Sequence, residues 1–181
     1  NSCNPAFVIL GQQLGKESLF DYIRKFGFGQ KTGIDLGGEE NGILFKLDRV
    51  GPVELATTSF GQGVSVTPIQ QVAAVSAAIN GGTLYEPHLA KAWVHPESGE
   101  VVKQIEPNEV RQVVSPETSE LVREALENVV AKGTGRNAFI EGFRVGGKTG
   151  TAQKVIDGRY SKSEYIVSFV GVAPADDPQV V

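Results

Sequence analysis

An α/β fold of the α+β kind is what this sequence predicts, and three observations carry the expectation. The first lies near the end of the chain. Val145 to Lys154 reads as a strand, Asp157-Gly158 suits a type I′ turn, and Tyr165 to Ala173 returns as a second strand rich in Val, Ile, Phe and Tyr. The second is a pair of helix starts, Thr67-Pro68 and Ser115-Pro116, where a hydroxyl caps and proline fills the first helical position. The third is a set of short extended runs, Leu84-Tyr85, Leu89 to Val94 and Val101 to Ile105, with Ser98-Gly99 as a turn. Strands joined by tight turns pair antiparallel.

The elements follow in order. Pro5 to Leu14 predicts a helix stopped by Gly15, and Glu17 to Phe26 a second one stopped by Gly27. Leu19, Phe20, Tyr22, Ile23 and Phe26 recur at helical spacing, so core packing is the reading for these aromatics. Residues 27 to 51 hold seven glycines and little periodicity, which predicts a long loop with short extended pieces. Pro52 to Thr58 suits a short helix, followed by a tight turn over Ser59 to Gly63. The helix from Thr67-Pro68 places Ile69, Val72, Ala73, Ser76 and Ile79 on one face and ends at Asn80-Gly81-Gly82. The helix from Ser115-Pro116 carries a stripe of Leu121, Val122, Ala125, Leu126 and Val129 and closes at Gly133 and Gly135. No repeat or low-complexity stretch breaks the 181 residues, so one domain over 1–181 is expected.

Composition excludes several functions. Hydrophobic residues are 40% and charged residues 21%, the balance of a globular domain. A net charge of -4 with no basic stripe argues against nucleic acid as a partner. No apolar run approaches the ~20 residues of a membrane span, and no signal peptide is present. Two histidines, His88 and His95, and one cysteine give no metal cluster, so neither metal nor cofactor is expected. The chain contains no Met and stops at strand-like Gln179-Val180-Val181. It is therefore expected to be a piece of a longer protein, incomplete at both ends.

The residues that carry chemistry cluster in Val145-Gly146-Gly147-Lys148-Thr149-Gly150-Thr151-Ala152-Gln153-Lys154. The glycines at 146, 147 and 150 are expected to leave one strand face bare, so that another backbone can approach. Lys148 adds a fixed cation, and Thr149 and Thr151 add hydroxyls. Such an edge strand suits an extended peptide whose carboxylate is anchored. Gly142 to Thr149 also fits the nucleotide-binding pattern G-x-x-x-x-G-K-[ST]. That loop must open a helix, so that helix amides face phosphate, whereas here the chain turns back at Asp157-Gly158. Lys-Thr-Gly occurs a second time, at Lys31-Thr32-Gly33, in the glycine-rich loop rather than on a strand.

Ser2-Cys3-Asn4 supplies a serine and an amide two positions apart; in an extended loop both project to one side. Taken in order with Ser59-Phe60-Gly61-Gln62-Gly63-Val64-Ser65-Val66-Thr67-Pro68 and the strand-borne Lys148-Thr149-Gly150, this set resembles the transpeptidase domain of class B penicillin-binding proteins. Phe26-Gly27-Phe28-Gly29, Gly33-Ile34-Asp35-Leu36 and Gly171-Val172-Ala173-Pro174-Ala175-Asp176-Asp177-Pro178 look like the same family, so the resemblance covers nearly the whole chain.

The resemblance implies an antiparallel sheet flanked by helices beside a helical subdomain, as in the serine β-lactamase group. It implies a serine D,D-transpeptidase that cross-links peptidoglycan stem peptides through an acyl-enzyme and is a target of β-lactam antibiotics. Ser2 would relay protons, Asn4 would hold the substrate amide, and Lys148 would set the electrostatics of the relay. Thr149 and Thr151 would bind the terminal carboxylate, Gly150 would leave room beside them, and the Thr151 amide would be an oxyanion donor. Gln153 would face the same edge. The family also implies an N-terminal membrane anchor outside this chain, action on the outer face of the cell membrane, and other cell-wall synthesis membrane proteins as partners. Spore cortex synthesis and division are the two roles it suggests. One element departs from the pattern: no serine here has lysine three positions on. The nucleophile is expected outside the chain. A penicillin-sensing receptor or an inactive scaffold of the same fold is the alternative. Cys3 is expected to be a small buried apolar residue; the alternative is a thiol open to oxidation beside Ser2.

Overall fold

The computed structural model describes residues 2–181. Five helices and three antiparallel strand pairs build it. Helix α1 (Asn4–Leu14) and α2 (Lys16–Lys25) lead into the glycine-rich loop. Helices α3 (Pro52–Ser59) and α4 (Pro68–Ile79) follow, then strands β1 (Thr83–Glu86), β2 (Ala92–Val94), β3 (Val101–Gln104) and β4 (Asn108–Gln112). Helix α5 (Pro116–Lys132) precedes the long hairpin of β5 (Gly146–Ile156) and β6 (Arg159–Val172). The pairings are β1 with β4, β2 with β3, and β5 with β6, all antiparallel. No helix among the described residues is long and apolar enough to cross a membrane.

Local chemistry explains most of these boundaries. The Thr67 side chain accepts from the Gln70 amide, and the Gln70 side chain returns a bond to the Thr67 amide, closing both ends of a capping box on α4. Ser115 caps α5 through the Thr118 amide. Asp157 and Gly158 both take positive φ, 50° and 74°, the geometry a two-residue type I′ turn requires. Strand β6 starts six residues earlier than its aliphatic run, because the turn pairs Ile156 with Arg159 and drags polar residues into register. Strand β4 has no alternating pattern and is exposed along almost all its length; only pairing with β1 makes it a strand.

The helix faces are rotated from those the sequence suggests. On α4 the buried positions are Gln70, Ala74, Ala77 and Ile79, while Val72 is exposed. Small residues face inward because β1 lies close: Ala77, Leu84 and Val113 form the buried cluster, with Phe26, Ala73 and Val114 against it. Buried Gln70 is tolerated because its amide also donates to the carbonyls of Gln30 and Asn41, which fastens the glycine-rich loop to α4. On α5, Ser119 and Val130 are buried and Leu121 stays exposed. Ser119 faces inward because its hydroxyl accepts the Gly81 amide at the end of α4. In α2, Phe20 is fully buried but Tyr22 is exposed, its ring under the Lys25 ammonium.

Three glycines of β5 do not share a face, contrary to expectation. A side chain at Gly146 would meet the backbone of α5 at Glu127, 3.2 Å away. A side chain at Gly147, on the opposite face, would run into the ring of Phe169. One at Gly150 would strike the Ser168 hydroxyl, its partner across the ladder. The backbone that approaches the glycine face is therefore the chain's own helix α5.

Candidate active site

The site is built where the segment before α1 meets strand β5. The Lys148 ammonium, half-buried on β5, donates to the Ser2 hydroxyl at 2.6 Å and to the Thr149 carbonyl at 2.7 Å. These two side chains are 146 residues apart in sequence. An ammonium is donor-only, so Ser2 Oγ accepts and its own proton is turned elsewhere. That polarity leaves the Ser2 proton directed away from Lys148.

Strand β5 pairs with β6 on one side from Gly146 to Ile156, with one break in register at Lys154. Its other edge pairs with no strand among the described residues. Lys148, Thr149, Gly150 and Thr151 thus lie on an open edge strand, the arrangement that accepts an extended peptide. Thr151 is exposed, and the Thr149 hydroxyl lies 3.3 Å from the hydroxyl of Thr134. Gln153 is turned away from this group: its amide donates to the Ser161 carbonyl on β6 and fastens the hairpin.

Asn4 departs from the extended-loop expectation. Cys3 is extended at φ −94°, ψ 95°, but it caps α1, and Asn4 is already the first helical residue. Ser2 and Asn4 therefore do not alternate as strand neighbours do; Asn4 is exposed on the first turn of the helix. Cys3 itself is exposed and unpaired among the described residues, not buried. No group of three or more metal-binding side chains occurs among the described residues.

The start of β5 is clamped by charges that sequence reading missed. Arg144 reaches both carboxylate oxygens of Glu127 on α5, at 2.7 and 2.6 Å, and lies 3.0 Å from Asp176 beyond β6. The hydrogen bonds from Arg144 hold the Glu127 carboxyl below the ordinary carboxylate range against the opposing effect of burial, and the paired carboxylates raise Arg144 in turn. The Ala175 amide also donates to the Arg144 carbonyl. A fork-shaped guanidinium with two carboxylates at fixed spacing could not be found from sequence, since its members are 17 and 32 residues from Arg144.

The hairpin immediately after Lys148-Thr149 removes the nucleotide-binding reading, which needs a helix there. What remains is an open edge strand with a lysine–serine pair, the arrangement of penicillin-recognising acyl-transferases. The profile of the penicillin binding protein transpeptidase domain matches residues 1–181, and the chain belongs to that family.

Among its relatives, stage V sporulation protein D of Bacillus subtilis strain 168 is 70% identical over 181 residues, 100% of this chain and 28% of that protein. The peptidoglycan D,D-transpeptidase MrdA of Acinetobacter baumannii is 33% identical over 197 residues, 99% of this chain and 29% of that one. The crystal structure of penicillin binding protein 3 from Mycobacterium tuberculosis complexed with ampicillin superposes with a TM-score of 0.91 at 36% identity, covering 98% of this chain and 41% of that. The chain thus spans under a third of the length of these curated relatives.

Proposed function

We propose that this chain supplies two of the three active-site elements of a peptidoglycan D,D-transpeptidase. The observation that carries the reading is the 2.6 Å bond between Lys148 and Ser2, which joins the two elements on an open strand edge. In this reading a serine outside residues 1–181 attacks the carbonyl of the penultimate D-Ala of a stem peptide. D-Ala leaves, and an amine from a neighbouring stem resolves the acyl-enzyme. Ser2 passes the proton between the reacting groups, and Lys148 keeps the Ser2 hydroxyl oriented and its developing charge compensated. Thr149 and Thr151 seat the terminal carboxylate beside Gly150, and the Thr151 amide stabilises the oxyanion. Asn4 meets the substrate amide from the first turn of α1. Gln153 holds the hairpin rather than the peptide.

β-Lactams imitate the same substrate, which the ampicillin complex of the mycobacterial relative supports for this family. The likeness to the sporulation relative supports spore cortex synthesis as the setting. It further supports a membrane-anchored whole protein that works on the outer face of the cell membrane among other cell-wall proteins.

Fluorescent penicillin labelling of the complete protein tests the reading, with ATP binding as a control. Covalent labelling at a serine outside residues 1–181 is expected, together with cross-linking of a stem-peptide donor. A stable adduct on any serine between Ser2 and Ser168 would sink the assignment of roles, and labelling without cross-linking would favour a penicillin sensor.

A further inference from the structure

Thr134 has no role in the reading above, yet its hydroxyl is 3.3 Å from that of Thr149. The loop that presents it is tightly held. The amides of Gly133 and Gly135 both donate to the Val129 carbonyl, each at 3.0 Å, so the chain folds back over the last turn of α5. A side chain would be crowded out at Gly133 and tight at Gly135. A Cβ at Gly133 would lie 2.8 Å from the Val129 oxygen, and one at Gly135 would be 3.2 Å from it. Between two glycines committed to this contact, Thr134 carries the side chain that is left to face β5. Helix α5 is itself seated on β5 at Gly146, so the spacing between Thr134 and Thr149 is fixed from both sides.

The direction of this bond matters. A carboxylate is acceptor-only, so a threonine that binds one must donate its single proton to it. The lone pairs of Thr149 are then free to accept. Thr134 has no carboxylate to serve and can donate to Thr149. A chain of donors running Thr134 to Thr149 to carboxylate is polarised in one sense, and each bond strengthens the next.

We propose that Thr134 is a positioning residue of the carboxylate subsite, which orients the Thr149 hydroxyl toward the substrate's terminal carboxylate. The inference rests on the assignment of Thr149 above. It deepens that assignment by adding the loop after α5 to the specificity machinery.

A double-mutant cycle on the complete protein tests it, with benzylpenicillin as the probe and acylation rate followed against concentration. Thr134→Val is expected to weaken the binding constant about threefold to tenfold, the range of one exposed hydroxyl bond, with the acylation rate constant within about twofold. Thr134→Ser should restore wild-type behaviour. In a Thr149→Val background the Thr134→Val effect should vanish, because its only route is gone. An effect that persists in that background, or one that serine fails to rescue, overturns the proposal in favour of loop packing. No effect of Thr134→Val alongside a clear effect of Thr149→Val overturns it and leaves the carboxylate assignment standing. No effect of Thr149→Val overturns that assignment, and Thr134's role with it. Thermal unfolding of each variant identifies any that fails to fold, and Thr134→Ala then replaces the valine variant.

Discussion

The same tripeptide occurs twice in this molecule and does two different things. Lys31-Thr32-Gly33 lies in the glycine-rich loop, with Gly33 at φ +86°. There the Glu39 carboxylate is captured by the Thr32 amide, the Thr32 hydroxyl and the Gly33 amide. Lys148-Thr149-Gly150 lies on a strand, where the amides serve the ladder or the open edge, and no carboxylate of the described residues bonds to its threonine. The first copy brings its own carboxylate from six residues away. The second leaves its threonine facing outward and gives its lysine to Ser2. Backbone context therefore decides whether a Lys-Thr-Gly closes on itself or waits for a partner. The loop copy also shows, inside this chain, that threonine and the following glycine can seat a carboxylate.

The contrast is broken most directly at the two lysines. Lys148→Ala in the complete protein is expected to slow penicillin acylation by about 10²- to 10³-fold, because it removes the cation that orients Ser2. Lys31→Ala should leave the rate unchanged. Equal losses at both positions would remove the distinction between strand and loop.

A smaller effect is expected at Cys3. Its thiol is exposed one residue from Ser2, so it should react with maleimide in the native protein. The bulky adduct should cut penicillin labelling by about tenfold or more, since ~1 Å displacements at a reacting group are costly. Cys3→Ala should be immune. Full activity after complete alkylation would place Ser2 outside the cleft.

Arg144→Ala sharpens the comparison from the structural side. It cuts the link from β5 to α5 and to Asp176, and should lower both the unfolding midpoint and the acylation rate, the latter by several-fold. Lys31→Ala serves as the control that leaves the acylation rate unchanged.

The smallest effect is local to the first copy. Burial acts to raise the Glu39 pKa, but the bonds from Thr32 and Gly33, with the Lys31 charge nearby, outweigh it and hold the group below its ordinary value. A depressed carboxyl contributes stability above its unfolded pKa and loses it as pH falls through the folded one. Protection of residues 27–41 against hydrogen exchange, taken relative to the intrinsic rate at each pH, should therefore fall in acid, and Glu39→Gln should be less protected at neutral pH while losing that acid dependence. Penicillin labelling should not respond.

Much of this was legible in the sequence because it is local. Thr67-Pro68, Ser115-Pro116 and Asp157-Gly158 each set a boundary through a bond or a φ angle within three residues, and each boundary is where the pattern puts it. The Lys148-to-Thr151 stretch was legible because an open strand edge needs only alternation and a turn. Helix faces were harder: Ser119 and Gln70 are buried through hydrogen bonds to distant backbone, and hydrophobicity does not report those. The extended-loop geometry expected at Asn4 fails because the helix already starts there, one residue after Cys3. Thr134 and the Arg144 clamp were invisible because their partners are brought together only by the packing of α5 on β5.

The bond between Ser2 and Lys148 has a consequence for how the domain is made. Its 146-residue span closes a far longer loop than the β5–β6 hairpin, which closes through two turn residues. Loop closure is entropically dear for distant partners, and contacts between them form late. The hairpin can be in place while the lysine it carries has nothing to orient. In refolding of the complete protein, penicillin labelling is therefore expected to lag behind the recovery of secondary structure.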